Sequence, residues 1–463
     1  MTMHLAGAGP TEPSLESMAA EPMFTREYEA RPAEFYQRLR DTYGPVAPVD
    51  VLGVPAWLVL GYTQALDVLQ DRQGRWTKHI SSWPAWSDGR VPADWPLRHA
   101  FGNDCLLVSD GRKADRLRSA WILGLRPYQD RTHRQARELE NTVGRYADEL
   151  IDVLSEGSSG TGWADLSAQY ARPLPLMVLN RMIGFADDRG DDLLMDLWRA
   201  MDAGPEAVEA MGRMYTVTAE TIEAKRKTPG EDLTSYLIGA DPGLSTEDLC
   251  KELILAMSML GDFTGTLISN TAAAVIGGDH STRESLSAGM LQETVNRVAM
   301  ANPPMANISF RFAQAPVRLG RFAISVGDPV FISVAAAHMD PVFTGHMNPD
   351  SITSSRAHLA WSTGLHGCLG RDLATTITTI AIGRLFERFS ALKLALPADQ
   401  LPWRSSPFLR SLRSLPVEYE LSGPPPGARQ PAGGAPGQPA NAGAQPPRSR
   451  MWRFLRGLRK DAQ

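Results

Sequence analysis

Between residues 113 and 275 apolar residues recur at the 3.6-residue spacing of helices that bury one face, and strand signals are scarce. The pattern breaks at 156–162, at Gly204-Pro205, at Pro229-Gly230 and at Asp241-Pro242-Gly243, which divides the stretch into several helices. Strand-like runs sit to either side of it. Residues 46–51 and 56–60 flank a turn at Gly53, and 306–312 and 330–334 follow Pro303. A helix is also predicted at 32–43, and a last one from Cys368 to about Phe389. The expected fold class is therefore mainly α with minor β, in a single large domain over 25–421. No internal repeat is present.

Bulk properties narrow the class further. Of 463 residues 43% are hydrophobic and 21% charged, as in soluble globular chains with a sizeable core. The net charge of −5 gives no reason to expect a nucleic-acid partner. Three scattered cysteines, Cys105, Cys250 and Cys368, supply neither a disulfide framework nor a zinc site, and they suit a reducing cytoplasm. The N-terminus lacks the basic and apolar regions of a secretory signal. The longest apolar candidate, 253–276, is interrupted by Gly261, Asp262, Ser269 and Asn270, so no membrane span is expected. Residues 1–24, rich in Ala, Gly, Pro and Glu, are expected to be disordered. The segment 71–105 is long and irregular and holds Trp76, Trp83, Trp86 and Trp95, which suggests a packed lid.

The chemistry concentrates in Trp361-Ser362-Thr363-Gly364-Leu365-His366-Gly367-Cys368-Leu369-Gly370. A cysteine ahead of a helix can be held as thiolate by the unsatisfied N–H groups and dipole of the helix N-terminus. Such a thiolate is a good axial ligand for haem iron. A buried structural cysteine beside a glycine turn fits the isolated motif equally well. A cysteine hydrolase using Cys368 and His366 fits poorly, because no third orienting group is evident.

These ten residues resemble the haem-binding loop of the cytochrome P450 family, Phe-Gly-x-Gly-x-His-x-Cys-x-Gly. They match at Gly364, His366, Cys368 and Gly370, and depart at Trp361 and Ser362. His358-Leu359-Ala360 and Ala337-His338-Met339-Asp340-Pro341 resemble flanking segments of soluble bacterial members, and the likeness runs from about Arg26 to Leu421. The resemblance implies a P450-like fold enclosing haem b, with Cys368 as the iron ligand. It places Gly364, Trp361 and Gly370 against the macrocycle, and Arg118, Arg311 and His366 on the propionates. The histidine that accompanies Arg118 in the family is Ala114 here, so one propionate partner is missing.

On the oxygen side the family pattern Ala-Gly-x-Asp/Glu-Thr-Thr reads Leu260-Gly261-Asp262-Phe263-Thr264-Gly265-Thr266. Thr264 keeps register and would serve dioxygen or a delivering water. The acid position holds Phe263, and Asp262, the remaining acidic candidate, lies about 100° around the helix. The family's Glu-x-x-Arg pair is also altered. Asn296 stands at the arginine position, and Arg297 lies at i+4 from Glu293. These features suggest an actinobacterial-like branch with a degenerate motif.

The implied activity is a haem-thiolate monooxygenase that hydroxylates or oxidatively couples a small organic substrate of secondary metabolism. Its pocket would take in the tryptophan loop, residues 196–214, the central helix and 306–309. Its electrons would come from a separate ferredoxin and ferredoxin reductase, docking near Arg112, Lys113, Arg116 and Arg371. A haem-binding regulatory or scaffolding protein of the same fold is the alternative, favoured by Phe263 and Asn296. Residues 422–449 form a Pro/Gly/Ala-rich linker. Residues 450–463 carry Arg450, Arg453, Arg456, Arg459 and Lys460 among Trp452, Leu455 and Leu458. This is either a basic amphipathic element for a membrane surface or partner, or a solubilising tail. The expected location is cytoplasmic, peripheral at the membrane if the tail docks there.

Overall fold

The computed structural model describes residues 14–101, 104–186, 190–201, 206–278, 289–345 and 356–423. The basic tail and the linker from 424 onward lie outside them, as does the break expected at Gly204-Pro205. The chain forms two compact units.

The first unit comprises Met1–Ala114, Met305–Cys368 and Ser405–Leu409. It is built on a six-stranded sheet in the order Glu21–Pro22, Val46–Asp50, Pro55–Val59, Pro329–Ser333, Asn307–Ala313 and Trp76–Thr77. Val46–Asp50 and Pro55–Val59 pair antiparallel across Leu52 and Gly53, whose φ angles are +57° and +92°. That left-handed pair is what a tight hairpin turn needs, and Asp50 Oδ1 secures it by accepting the Gly53 N–H at 2.7 Å. The helix predicted at 32–43 forms as Pro32–Tyr43, with proline at its first position and Gly44 at its end.

Residues 14–24 depart from the disorder expected of 1–24. Leu15 and Met23 are each 4% exposed, and Glu21–Pro22 pairs in parallel with Val49 and Asp50. Two apolar anchors decide the matter, and average composition conceals them. The 71–105 segment is packed, as expected of its tryptophans. Trp83 and Trp95 are buried and pack on Phe312 at 5.7 Å and Phe310 at 6.2 Å, while Trp76 lies within a strand.

The second unit comprises Asp115–Pro304, Leu369–Arg404 and Arg410–Gln463. It holds the long helices and a three-stranded sheet in the order Phe389–Leu394, Pro416–Leu421, Thr161–Asp165. Two of the sequence breaks end helices as predicted: Ala207–Lys227 stops before Pro229-Gly230, and Leu233–Ala240 stops at Asp241. The central element is Thr246–Gly277, 32 residues with a π-helical turn at Met257–Asp262. It is apolar enough by composition to cross a bilayer, yet 61% of that apolar window is buried inside the fold, which makes it a core helix. Its glycines permit that burial. A Cβ on Gly265 would lie 2.9 Å from the Ala171 backbone oxygen, and one on Gly261 would lie 2.2 Å from Leu176 Cδ2.

Candidate functional site

The cysteine loop is shaped by backbone requirements. Ser362 and Gly364 have φ angles of +56° and +70°. A Cβ on Gly364 would stand 2.5 Å from the Leu69 carbonyl oxygen, so both the dihedral and the space require glycine. Gly364–His366 makes a 3-10 turn, and the Cys368 N–H donates to the Trp361 carbonyl at 2.9 Å. The following helix is Arg371–Arg388, three residues later than predicted, because Gly370 with φ −90° and ψ 6° is its cap. A Cβ on Gly370 would come 3.3 Å from Leu260 Cδ1 of the central helix. Cys105 and Cys250 are buried, and burial with nearby Glu223 and Glu247 pushes the Cys250 thiol up to about 11. Cys368 alone of the three is exposed, and so it is the sulfur that can reach a ligand.

Within the first unit a cluster of charged side chains lies beside this loop. His366 Nε2 and Asp110 Oδ1 are 3.2 Å apart. Asp110 Oδ2 also accepts the Thr77 hydroxyl at 2.7 Å and the Lys78 backbone N–H. Burial works to raise the Asp110 carboxyl, but these hydrogen bonds outweigh it and hold the group well below the usual carboxylate range. Burial pushes His366 down to about 4, aided by the Lys78 and Arg311 charges and opposed by Asp110, so its imidazole is neutral near pH 7. Arg311 is 3% exposed, and burial brings it to about 10. Among the described residues its Nη1 reaches only the Ser309 and Phe310 carbonyls, at 3.4 and 3.5 Å, and its buried Nη2 has no hydrogen-bond partner.

Buried donors are almost always satisfied, and a guanidinium pairs best with a carboxylate. A buried, unsatisfied Nη2 on Arg311 therefore fits a propionate-bearing group such as haem b. Arg311 and His366 were singled out in the sequence. Lys78 and Asp110 were not, because no motif marks them and the fold brings them to the loop over more than 250 positions. Arg118 is half-buried in the second unit.

The oxygen-side residues also lie in the second unit. Thr264 and Thr266 are each 1% exposed, and neither hydroxyl has a hydrogen-bond partner among the described residues. Ser269 and Thr271 on the same helix behave conventionally, donating to the Gly265 and Leu267 carbonyls at 3.0 and 2.7 Å. Asp262 is held in an ion pair. Its side chain is 4% exposed, and Arg404 Nη1 donates to both of its carboxylate oxygens at 3.2 and 3.3 Å. Glu293 and Arg297 approach to 3.8 Å, an i,i+4 contact too long for a hydrogen bond. Of the basic residues considered for docking, Arg116 is engaged by Asp241 and Lys113 by Asp104, while Arg112 and Arg371 are exposed.

No family model matches the chain. Curated relatives do. The chain is 31% identical over 399 residues to cytochrome P450 107B1 of Saccharopolyspora erythraea, covering 82% of this chain and 93% of that one. It is 30% identical over 414 residues to the 6-deoxyerythronolide B hydroxylase of the same organism, covering 83% and 95% respectively. Among solved structures, CYP154C4 from a Streptomyces species superposes with a TM-score of 0.76 at 26% identity, over 88% of this chain and all of that one. Relatives of this kind use haem iron held by a cysteine thiolate, and those named for an activity are hydroxylases or monooxygenases. The oxygenase expectation therefore prevails over the regulatory one: the chain belongs to the cytochrome P450 family and is a haem monooxygenase of mainly α fold.

Proposed function

We propose that this chain hydroxylates a small organic molecule of secondary metabolism in the cytoplasm, with electrons from a separate ferredoxin and its reductase. The cysteine loop carries the reading: Cys368 is exposed on a turn that only glycine at 364 permits. The relatives named for secondary-metabolite hydroxylation support the substrate class. In this reading Cys368 holds the iron, Arg311, His366 and Arg118 hold the propionates, and Gly364, Trp361 and Gly370 border the ring. When bound, haem supplies the activation of dioxygen, as in P450s generally.

The chain's own residues prepare that step. Thr264, buried and without a protein acceptor, holds or passes a proton at its Oγ1. Asp262 does not share this task; clamped by Arg404, it fixes the π-helical turn that precedes Thr264. Phe263 puts no carboxylate at the usual position, so proton delivery relies on hydroxyls and water.

The test is turnover with a bacterial ferredoxin and reductase against a panel of polyketide-derived substrates. The reading expects a high-spin shift on binding and a product heavier by one oxygen atom. Spin shifts with no oxygenated product from any binder would defeat it. The tail at 450–463 is read from its pattern as a docking element; a truncation at 423 that binds anionic vesicles and ferredoxin as well as the full chain would refute that.

A further inference from the structure

The first unit buries a second cation that the haem reading has not used. Lys78 is 4% exposed, and its Nζ donates to the Leu107 carbonyl, the one acceptor of its three ammonium protons among the described residues. Burial and the nearby Arg311 charge together push this ammonium well below its usual range, against the pull of Asp110 and Cys105.

The anions close by are already committed. Asp110 spends its oxygens on His366, the Thr77 hydroxyl and the Lys78 backbone N–H. Asp71, which also acts on Arg311, accepts the backbone N–H groups of Arg75 and Trp76 at 2.7 and 3.1 Å. Two buried cationic heads, Lys78 Nζ and Arg311, are thus left without an ion pair to a carboxylate among the described residues. A buried charge held without a partner is costly, and a fold keeps such a pair where something else brings the countercharge. The orphaned Arg311 Nη2 shows that the missing group is an acceptor.

We propose that Lys78, with Arg311, forms a buried carboxylate site that grips a haem propionate and does the work of the family's histidine, whose position Ala114 occupies in this chain. The inference rests on the haem reading and adds a residue to it. A lysine is suited to the role because its ammonium is a compact charge on a flexible stem, which complements the planar fork of Arg311. The competing explanation is that Lys78 only ties the chain at Leu107.

The experiment compares holoproteins of wild type, Lys78→Met and Lys78→Arg. Two readouts are taken: the rate of haem loss to an apo-globin scavenger, and the propionate bending band in the resonance Raman spectrum. A charge-assisted hydrogen bond is worth about 1.5 kcal/mol or more, so Lys78→Met is expected to lose haem about tenfold faster. Its propionate band moves while the CO band of the reduced protein stays that of a thiolate. Lys78→Arg retains haem nearly as wild type does. A Lys78→Met protein with the wild-type band position overturns the proposal, even if haem loss quickens, since that result describes a purely structural lysine. Should Lys78→Met yield no holoprotein, Lys78→Arg decides alone: a moved propionate band supports the contact and an unmoved one overturns it. Wild-type protein lacking the thiolate CO band would remove the haem reading itself, and this proposal with it.

Discussion

Asp262 and Thr264 lie two residues apart on one helix, and their polar atoms are treated in opposite ways. The Thr264 hydroxyl is buried with no partner among the described residues, while the Asp262 carboxylate is held at both oxygens by Arg404. The two substitutions should therefore fail differently. Thr264→Ala leaves stability almost unchanged and lowers product formation by about a hundredfold, with reducing equivalents diverted to peroxide. Asp262→Ala breaks a buried pair and costs about 3–5 kcal/mol in a urea melt, leaving the ratio of product to peroxide near wild type in the protein that stays folded. A product-to-peroxide ratio that collapses in Asp262→Ala would return this carboxylate to the proton path. At this scale the sequence was half informative. Register singled out Thr264 and Arg311 because their neighbours belong to continuous motifs. It could not show the Asp262–Arg404 pair, because Arg404 lies 142 positions away.

Between elements, the decisive contacts are close backbone approaches and clamps between helices. Gly265→Ala sets a Cβ 2.9 Å from the Ala171 carbonyl oxygen, where no flexible side chain can give way. A loss of about 1–3 kcal/mol is expected, read as a lowered melting midpoint. The helices Gly190–Met201 and Ala207–Lys227 are joined by Asp196, which accepts from Arg213 at 2.9 and 2.6 Å and from Arg199 at 2.9 Å. Burial acts to raise the Asp196 carboxyl, but the two arginines outweigh it and leave it below its ordinary value. A carboxyl depressed in the folded state contributes stability above its unfolded pKa of about 3.9 and loses it as pH falls through the lower folded value. Asp196→Asn should thus be less stable than wild type at pH 7, and the gap should close on acidification below about pH 4. A gap that stays constant down to pH 2 would show that the charge is not what joins the helices. The helices themselves were readable from their apolar period and their Pro/Gly breaks. The π-helical turn at Met257–Asp262 was not, since no local pattern announces it.

Across the whole molecule, the sequence indicated a mainly helical chain with small sheets, and the structure has that class. It overestimated disorder over residues 14–24, where Leu15 and Met23 anchor the chain. The error has a cause: burial is decided by partners distant in sequence, and composition averages over them. The cysteine loop escaped this limit because its requirements are local: a glycine at φ +70°, a turn, and a helix opening after Gly370. The central claim, that Cys368 holds haem iron as a thiolate, is tested most directly by the CO-difference spectrum of the reduced protein. Wild type should show the strongly red-shifted Soret band of a thiolate ligand, and Cys368→Ala should lack it. A wild-type spectrum without that band, or a Cys368→Ala spectrum that keeps it, would contradict the account.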